Sequence, residues 1–117
     1  MSMKKILEDL VLLGVVKEPI KLFNREFIMQ TLTTEEHIEA TNATGDFDPL
    51  TRIYALKVEI LGRAIKSIDG EPIENKFEML KTLRVMQAPA VHKLYENFEK
   101  LQIKQGEALS DFEQLKN

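Results

Sequence analysis

His37 and His92 are the side chains of this sequence best suited to acid–base or metal chemistry, and each has carboxylates at helical spacing. His37 stands among Glu35, Glu36 and Glu39, and His92 precedes Glu96 by one turn. A metal centre needs a second imidazole or a thiolate at ligand spacing, and neither histidine has one. Both read as members of solvated charge clusters on helices. Ser2, Ser67 and Ser110 lie outside the strand–turn–helix context that exposes a nucleophile. Gly14, Gly45, Gly62, Gly70 and Gly106 are too scattered to cradle a phosphate. Asp46 and Asp48 lack the third oxygen ligand of a calcium loop. The expectation is a protein without catalysis, cofactor or metal.

Composition narrows the remaining classes. The chain has 117 residues, 44% hydrophobic and 30% charged, enough for one domain with a real core. Acidic residues outnumber basic ones by 19 to 16, so the basic surface that phosphate binding requires is missing and nucleic acid is not an expected partner. There are no cysteines, which excludes disulfides and thiolate sites and suits a reducing cytoplasm. The basic, leucine-rich start resembles a secretion signal, but Glu8 and Asp9 interrupt it and no small-residue cleavage site follows. No stretch approaches the ~20 apolar residues of a membrane span.

The elements follow from spacing. Residues from about Met3 to Leu13 fit a short amphipathic helix ended by Gly14. Residues 15–32 predict a β-hairpin around an Asn24-Arg25 turn, with Pro19 marking its first strand as an edge. Thr33 and Glu36 form a capping-box pattern that opens a short helix reaching about Asn42. Asp48 and Pro49 then start a long helix, which Asp69-Gly70 is expected to end. A further helix spans about Glu74 to Gln87, Pro89 breaks the chain, and a last helix runs from Ala90 with Gly106 as a candidate interruption. The expected fold is mainly α: a small helical bundle with an N-terminal β-hairpin, α+β but helix-dominated. Within one domain of residues 1–117, the helical core occupies 33–105, and 106–117 is a candidate protruding helical tail.

Two helices carry more apolar surface than a helix needs. In the long one, Leu50, Ile53, Tyr54, Val58, Leu61, Ala64, Ile65 and Ile68 form a stripe that Leu56 and Ile60 widen to an arc of roughly 200°. Arg52, Glu59, Arg63 and Lys66 are its expected wet face, while Lys57 sits inside the arc, its ammonium snorkelling to water or meeting an acid. In the last helix Val91, Leu94, Phe98, Leu101, Gln105, Ala108, Phe112 and Leu115 make a heptad seam. Before Gly106 the simplest partner for that seam is the preceding helix, through Phe77, Leu80 and Leu83. Beyond it, a polar segment with Leu109, Phe112 and Leu115 on one side either frays or lies on another molecule. The candidate partner-binding set is therefore Leu94, Phe98, Leu101, Leu109, Phe112 and Leu115.

The order of these elements, from LFNREFIMQTLT through TTEEHIEA and DPLTRIYALKVEILGRAIKSIDGEP to an aromatic–leucine terminal helix, resembles the tail assembly chaperones of long-tailed bacteriophages. The resemblance covers about Val15 to Leu115 and extends to phage baseplate-hub assembly proteins. It implies a small helical protein of the host cytoplasm that keeps the tape measure protein soluble while the tail tube forms. Tail tube subunits and further copies of the chain are possible additional partners. A structural baseplate or tail-completion protein of the virion is the alternative, with the same fold. Five methionines, Met29, Met79 and Met86 among them, would suit adaptable contacts with such a client or a core equally.

Overall fold

Thr33 and Glu36 close a true capping box: Thr33 Oγ1 accepts from the Glu36 amide at 3.1 Å and Glu36 Oε1 accepts from the Thr33 amide at 2.9 Å. The computed structural model describes residues 2–116, with side chains as far as Glu113. The elements run α1 (Met3–Leu12), β1 (Lys17–Leu22), β2 (Arg25–Gln30), α2 (Thr34–Ala43), α3 (Pro49–Ala64), β3 (Ile65–Ile68), β4 (Glu71–Pro72), α4 (Lys76–Val85) and α5 (Ala88–Lys116). The helix-dominated α+β class is as expected.

Asp48 caps α3 through Oδ1, which accepts from the amides of Leu50 and Thr51 at 3.1 and 3.0 Å. The expected end of this helix is wrong by a whole element. It stops at Ala64, and Ile65–Ile68 leaves as a strand that pairs antiparallel with β2, so the 33–105 segment is not wholly helical. Asp69 and Gly70, at φ 51 and 83, form the two-residue turn of a β3–β4 hairpin rather than a helix stop. Asp69 also ties this hairpin to the first one, accepting from the Glu26 amide at 2.8 Å and from Arg25 Nη1 at 2.7 Å. Hence the sheet has four antiparallel strands in the order β1-β2-β3-β4. The first hairpin turns at Phe23-Asn24, both at positive φ, one residue earlier than expected.

Central α3 touches α2, α4 and α5. Leu61, Ala64, Met29, Ile65, Leu83, Leu94, Phe98 and Leu101 form the heart of the core. Gly62 is where α4 comes closest, since a Cβ there would stand 2.3 Å from Leu80 Cδ2. The wide apolar arc of α3 is split: Val58 to Ile65 is buried, whereas Leu50, Ile53 and Tyr54 are exposed.

The expected wet face of α3 needs a second correction. Glu59 and Arg63 are buried, with side chains 6% and 8% exposed, and pair with each other at 3.0 Å. Arg84 of α4 reaches Glu59 at 3.1 Å, and Glu39 of α2 reaches Arg63 at 3.4 Å, so the pair joins three helices. Arg52 does remain at the surface, but its guanidinium donates to the carbonyls of Thr44, Gly45 and Phe47 at the end of α2.

Candidate interaction surfaces

Leu94, Phe98 and Leu101, expected in a partner-binding seam, are buried in this chain's own core and present nothing to a second molecule. Their partner also differs from expectation. The seam packs on α3 and β1, while α4 docks on α3 through Leu80 and leaves Phe77 exposed. Pro89 sits in the first turn of α5, where a missing amide is harmless, and α5 passes through Gly106 without a break.

The docking of α5 ends near Gln105. Its amide nitrogen donates to the Gly14 carbonyl at 2.9 Å, and Lys104 Nζ meets Glu18 Oε2 on β1 at 2.6 Å. Gly14, at φ 80, admits Leu109 closely: a Cβ there would lie 3.1 Å from Leu109 Cδ2. Beyond that contact the helix overhangs, with Leu109 and Phe112 38% and 48% exposed. The side chain of Leu115 lies outside the described residues.

Beside the overhang stands α1, which forms because Ser2 Oγ caps it, accepting from the Lys5 amide at 3.3 Å. None of its ten residues is buried. Met3, Leu7, Leu10 and Val11 lie on one side at helical spacing, all more than half exposed, with Glu8 on the margin of the stripe. Such an amphipathic helix gains little from propensity alone and is stabilised by burial of its apolar face.

Comparison with protein-family models, with curated proteins and with solved structures found no match. The surfaces therefore have to speak through their own chemistry.

At the opposite end of α5 lies a groove of about 770 Å³ between the first half of α3 and the α4–α5 junction. Val58, Leu83, Met86 and Val91 line it, Phe47 and Tyr54 contribute aromatic walls, Lys57, Arg84 and Glu59 supply charge of both signs, and His92 adds an imidazole. Lys57 Nζ is 3.1 Å from His92 Nδ1, and His92 Nε2 is 3.0 Å from Glu96 Oε1. That arrangement takes the imidazole with its proton on Nε2, accepting from Lys57 and donating to Glu96. Lys57 also lies 6.0 and 5.8 Å from the ring centres of Tyr54 and Tyr95. Burial, and then the Glu99 carboxylate, push the Tyr95 hydroxyl above the usual phenol range. Of the two outcomes weighed for Lys57, the acidic partner is not found among the described residues, while its ammonium reaches an exposed contact with His92 at the surface.

Among the described residues, those around the other histidine, His37, included, no three His, Asp or Glu side chains gather as a metal site. Nor is any helix among the described residues long and apolar enough to cross a membrane. The groove was not anticipated from sequence. Of the α3 stripe read from sequence, only Tyr54 and Val58 line it.

Proposed function

We propose that the chain is a non-enzymatic tail assembly chaperone, which holds a long helical client of the tape measure type soluble in the host cytoplasm while tube subunits assemble around it. The observation that carries this reading is α1, a capped amphipathic helix with no buried residue, standing beside the overhanging end of α5. Met3, Leu7, Leu10 and Val11 offer an apolar strip along which a client helix can lie by its i, i+3, i+4 and i+7 positions. Flexible aliphatic contacts of this kind accept many similar helices, as a client of repeating helical sequence demands.

Co-expression with a long helical protein of the tape measure type tests the reading. The client is expected to be soluble with the wild-type chain and to precipitate with the Leu7→Glu, Leu10→Glu variant, which changes only exposed positions. Equal solubility with the variant, or without the chain at all, would overturn it.

A further inference from the structure

We propose that the groove between α3 and the α4–α5 junction binds an amphipathic monocarboxylate, its aliphatic chain on the groove floor and its carboxylate on Lys57. This inference does not rest on the identity of any client, and the α1 strip takes no part in it. The groove measures about 770 Å³, within the range of small-molecule sites, and is floored by Val58, Leu83, Met86 and Val91. Sites of that kind combine an apolar lining with a few polar groups that fix the ligand's orientation.

The lining charges differ in what they leave for a ligand. Glu59 and Arg84 meet each other at 3.1 Å, and the Glu59 carboxylate also holds Arg63 at 3.0 Å, so both belong to the ion-pair network that joins the helices. Lys57 stands outside that network. Its ammonium has three N–H donors, of which His92 Nδ1 takes one at 3.1 Å. Two remain, and a carboxylate has two oxygens to accept them. His92 is itself fixed by Glu96 at 3.0 Å, and the charge of Glu96 is offset by Lys93 at 3.6 Å. The ammonium is thus held at the wall by a contact that spans from α3 to α5.

Hydrogen-bonding capacity selects an aliphatic chain over a polypeptide. A peptide segment laid on this floor would bring amides and carbonyls that need partners. Few are on offer: the Thr51 hydroxyl is given to Asp48 at 2.8 Å, Glu59 and Arg84 engage each other, and His92 lies between Lys57 and Glu96. Hydrocarbon makes no such demand and gains by leaving water. Reach fits as well. Val58 follows Lys57 on α3 and Val91 precedes His92 on α5, so the ammonium stands next to the floor that the chain covers.

Titration of the full chain with octanoate, followed by NMR chemical shifts, tests this. One saturable site around Val58 and Val91 is expected, with 1-octanol bound about tenfold more weakly, the loss of one charge-assisted pair. Lys57→Gln should weaken octanoate by a similar factor and leave 1-octanol unchanged. Ala88→Trp, at an exposed position of the lining, should abolish both with unchanged helical circular dichroism. If Lys57→Gln alters the circular dichroism, Lys57→Met, which keeps the apolar stem, replaces it. Absence of saturable octanoate binding, equal affinity for the alcohol, or indifference to Lys57→Gln would each overturn the proposal. So would tighter binding of trileucine through its free carboxylate, which would make the occupant a peptide end. Growth of the ligand-free chain in mass with concentration, abolished by Ala88→Trp, would make it a second copy and overturn the proposal too.

Discussion

Gly62 and Leu80 occupy space that no third group can share: a Cβ on Gly62 would stand 2.3 Å from Leu80 Cδ2 and 2.8 Å from its Cγ. Replacement by alanine improves helix propensity by up to about 1 kcal/mol, but overpacking a filled site costs about 1–3 kcal/mol. Packing should win, because Leu80 is itself buried and has nowhere to swing. Gly62→Ala is expected to lower the urea midpoint, and an unchanged or raised midpoint would mean that α4 can shift freely on α3.

Removing the Glu59 carboxylate leaves the buried Arg63 guanidinium with the residue-59 carbonyl at 2.9 Å and, as its remaining acid, the longer and more exposed Glu39 at 3.4 Å. Glu59→Ala should cost about 3 kcal/mol, the low end for breaking a buried pair. The double replacement Glu59→Leu, Arg63→Met should recover much of that loss. Chemical denaturation of the three proteins distinguishes a buried pair from a surface one, for which all three would be alike.

The two halves of α3 should respond differently to truncation. Leu61→Ala removes a fully buried side chain and is expected to cost about 2–5 kcal/mol. Ile53→Ala, on the exposed half, should change stability by less than about 0.5 kcal/mol. Similar losses at both positions would show that the first half of the helix is covered in solution.

Deleting residues after Gln105 should leave the fold intact, because Leu94, Phe98 and Leu101 and the Gln105–Gly14 hydrogen bond all lie before the cut. Near-native circular dichroism and an urea midpoint close to that of the full chain are the expected results. Loss of folding would place the overhang in the core.

Acid should weaken the fold through its capping and turn carboxylates. Hydrogen bonds from Thr51 hold Asp48, and those from Arg25 and the Glu26 amide hold Asp69, below the ordinary value of 3.8, while Lys76 and then Arg63 lower Glu39 below 4.5. A folded-state pKa below the unfolded one means stabilisation that is complete above the unfolded value and is lost as pH falls through the folded one. Thermal midpoints are therefore expected to stay level from neutrality to about pH 5 and then to fall, less steeply in Asp48→Asn and Asp69→Asn.

Local signals were legible where chemistry is local. The Thr33–Glu36 box, the Asp48 cap, the first hairpin and the apolar spacing of α5 are all written in neighbouring residues. The end of α3 was not, because Ile65 and Ile68 continue its stripe and pairing with the open side of β2 overrides that pattern. Asp69-Gly70 between Ile68 and Glu71 was a hairpin signal that the helical reading absorbed. Burial of Glu59 and Arg63 was invisible for a related reason, since a charge pair four residues apart looks the same on a wet face or a dry one. For the candidate site, exposure of Leu109 followed from the polar context of its segment. The groove did not, because it forms between α3 and the α4–α5 junction, which are far apart in sequence.

Both free margins of the sheet carry a proline, Pro19 in β1 and Pro72 in β4. Proline offers no amide for an added strand, and lysines at 17 and 21 further discourage flat stacking. A protein that displays this many leucines on uncovered helices has to avoid cross-β growth, and these margins close that route. Sticky contacts are thereby confined to helix faces, which separate again, and kept from backbone ladders, which propagate into fibrils.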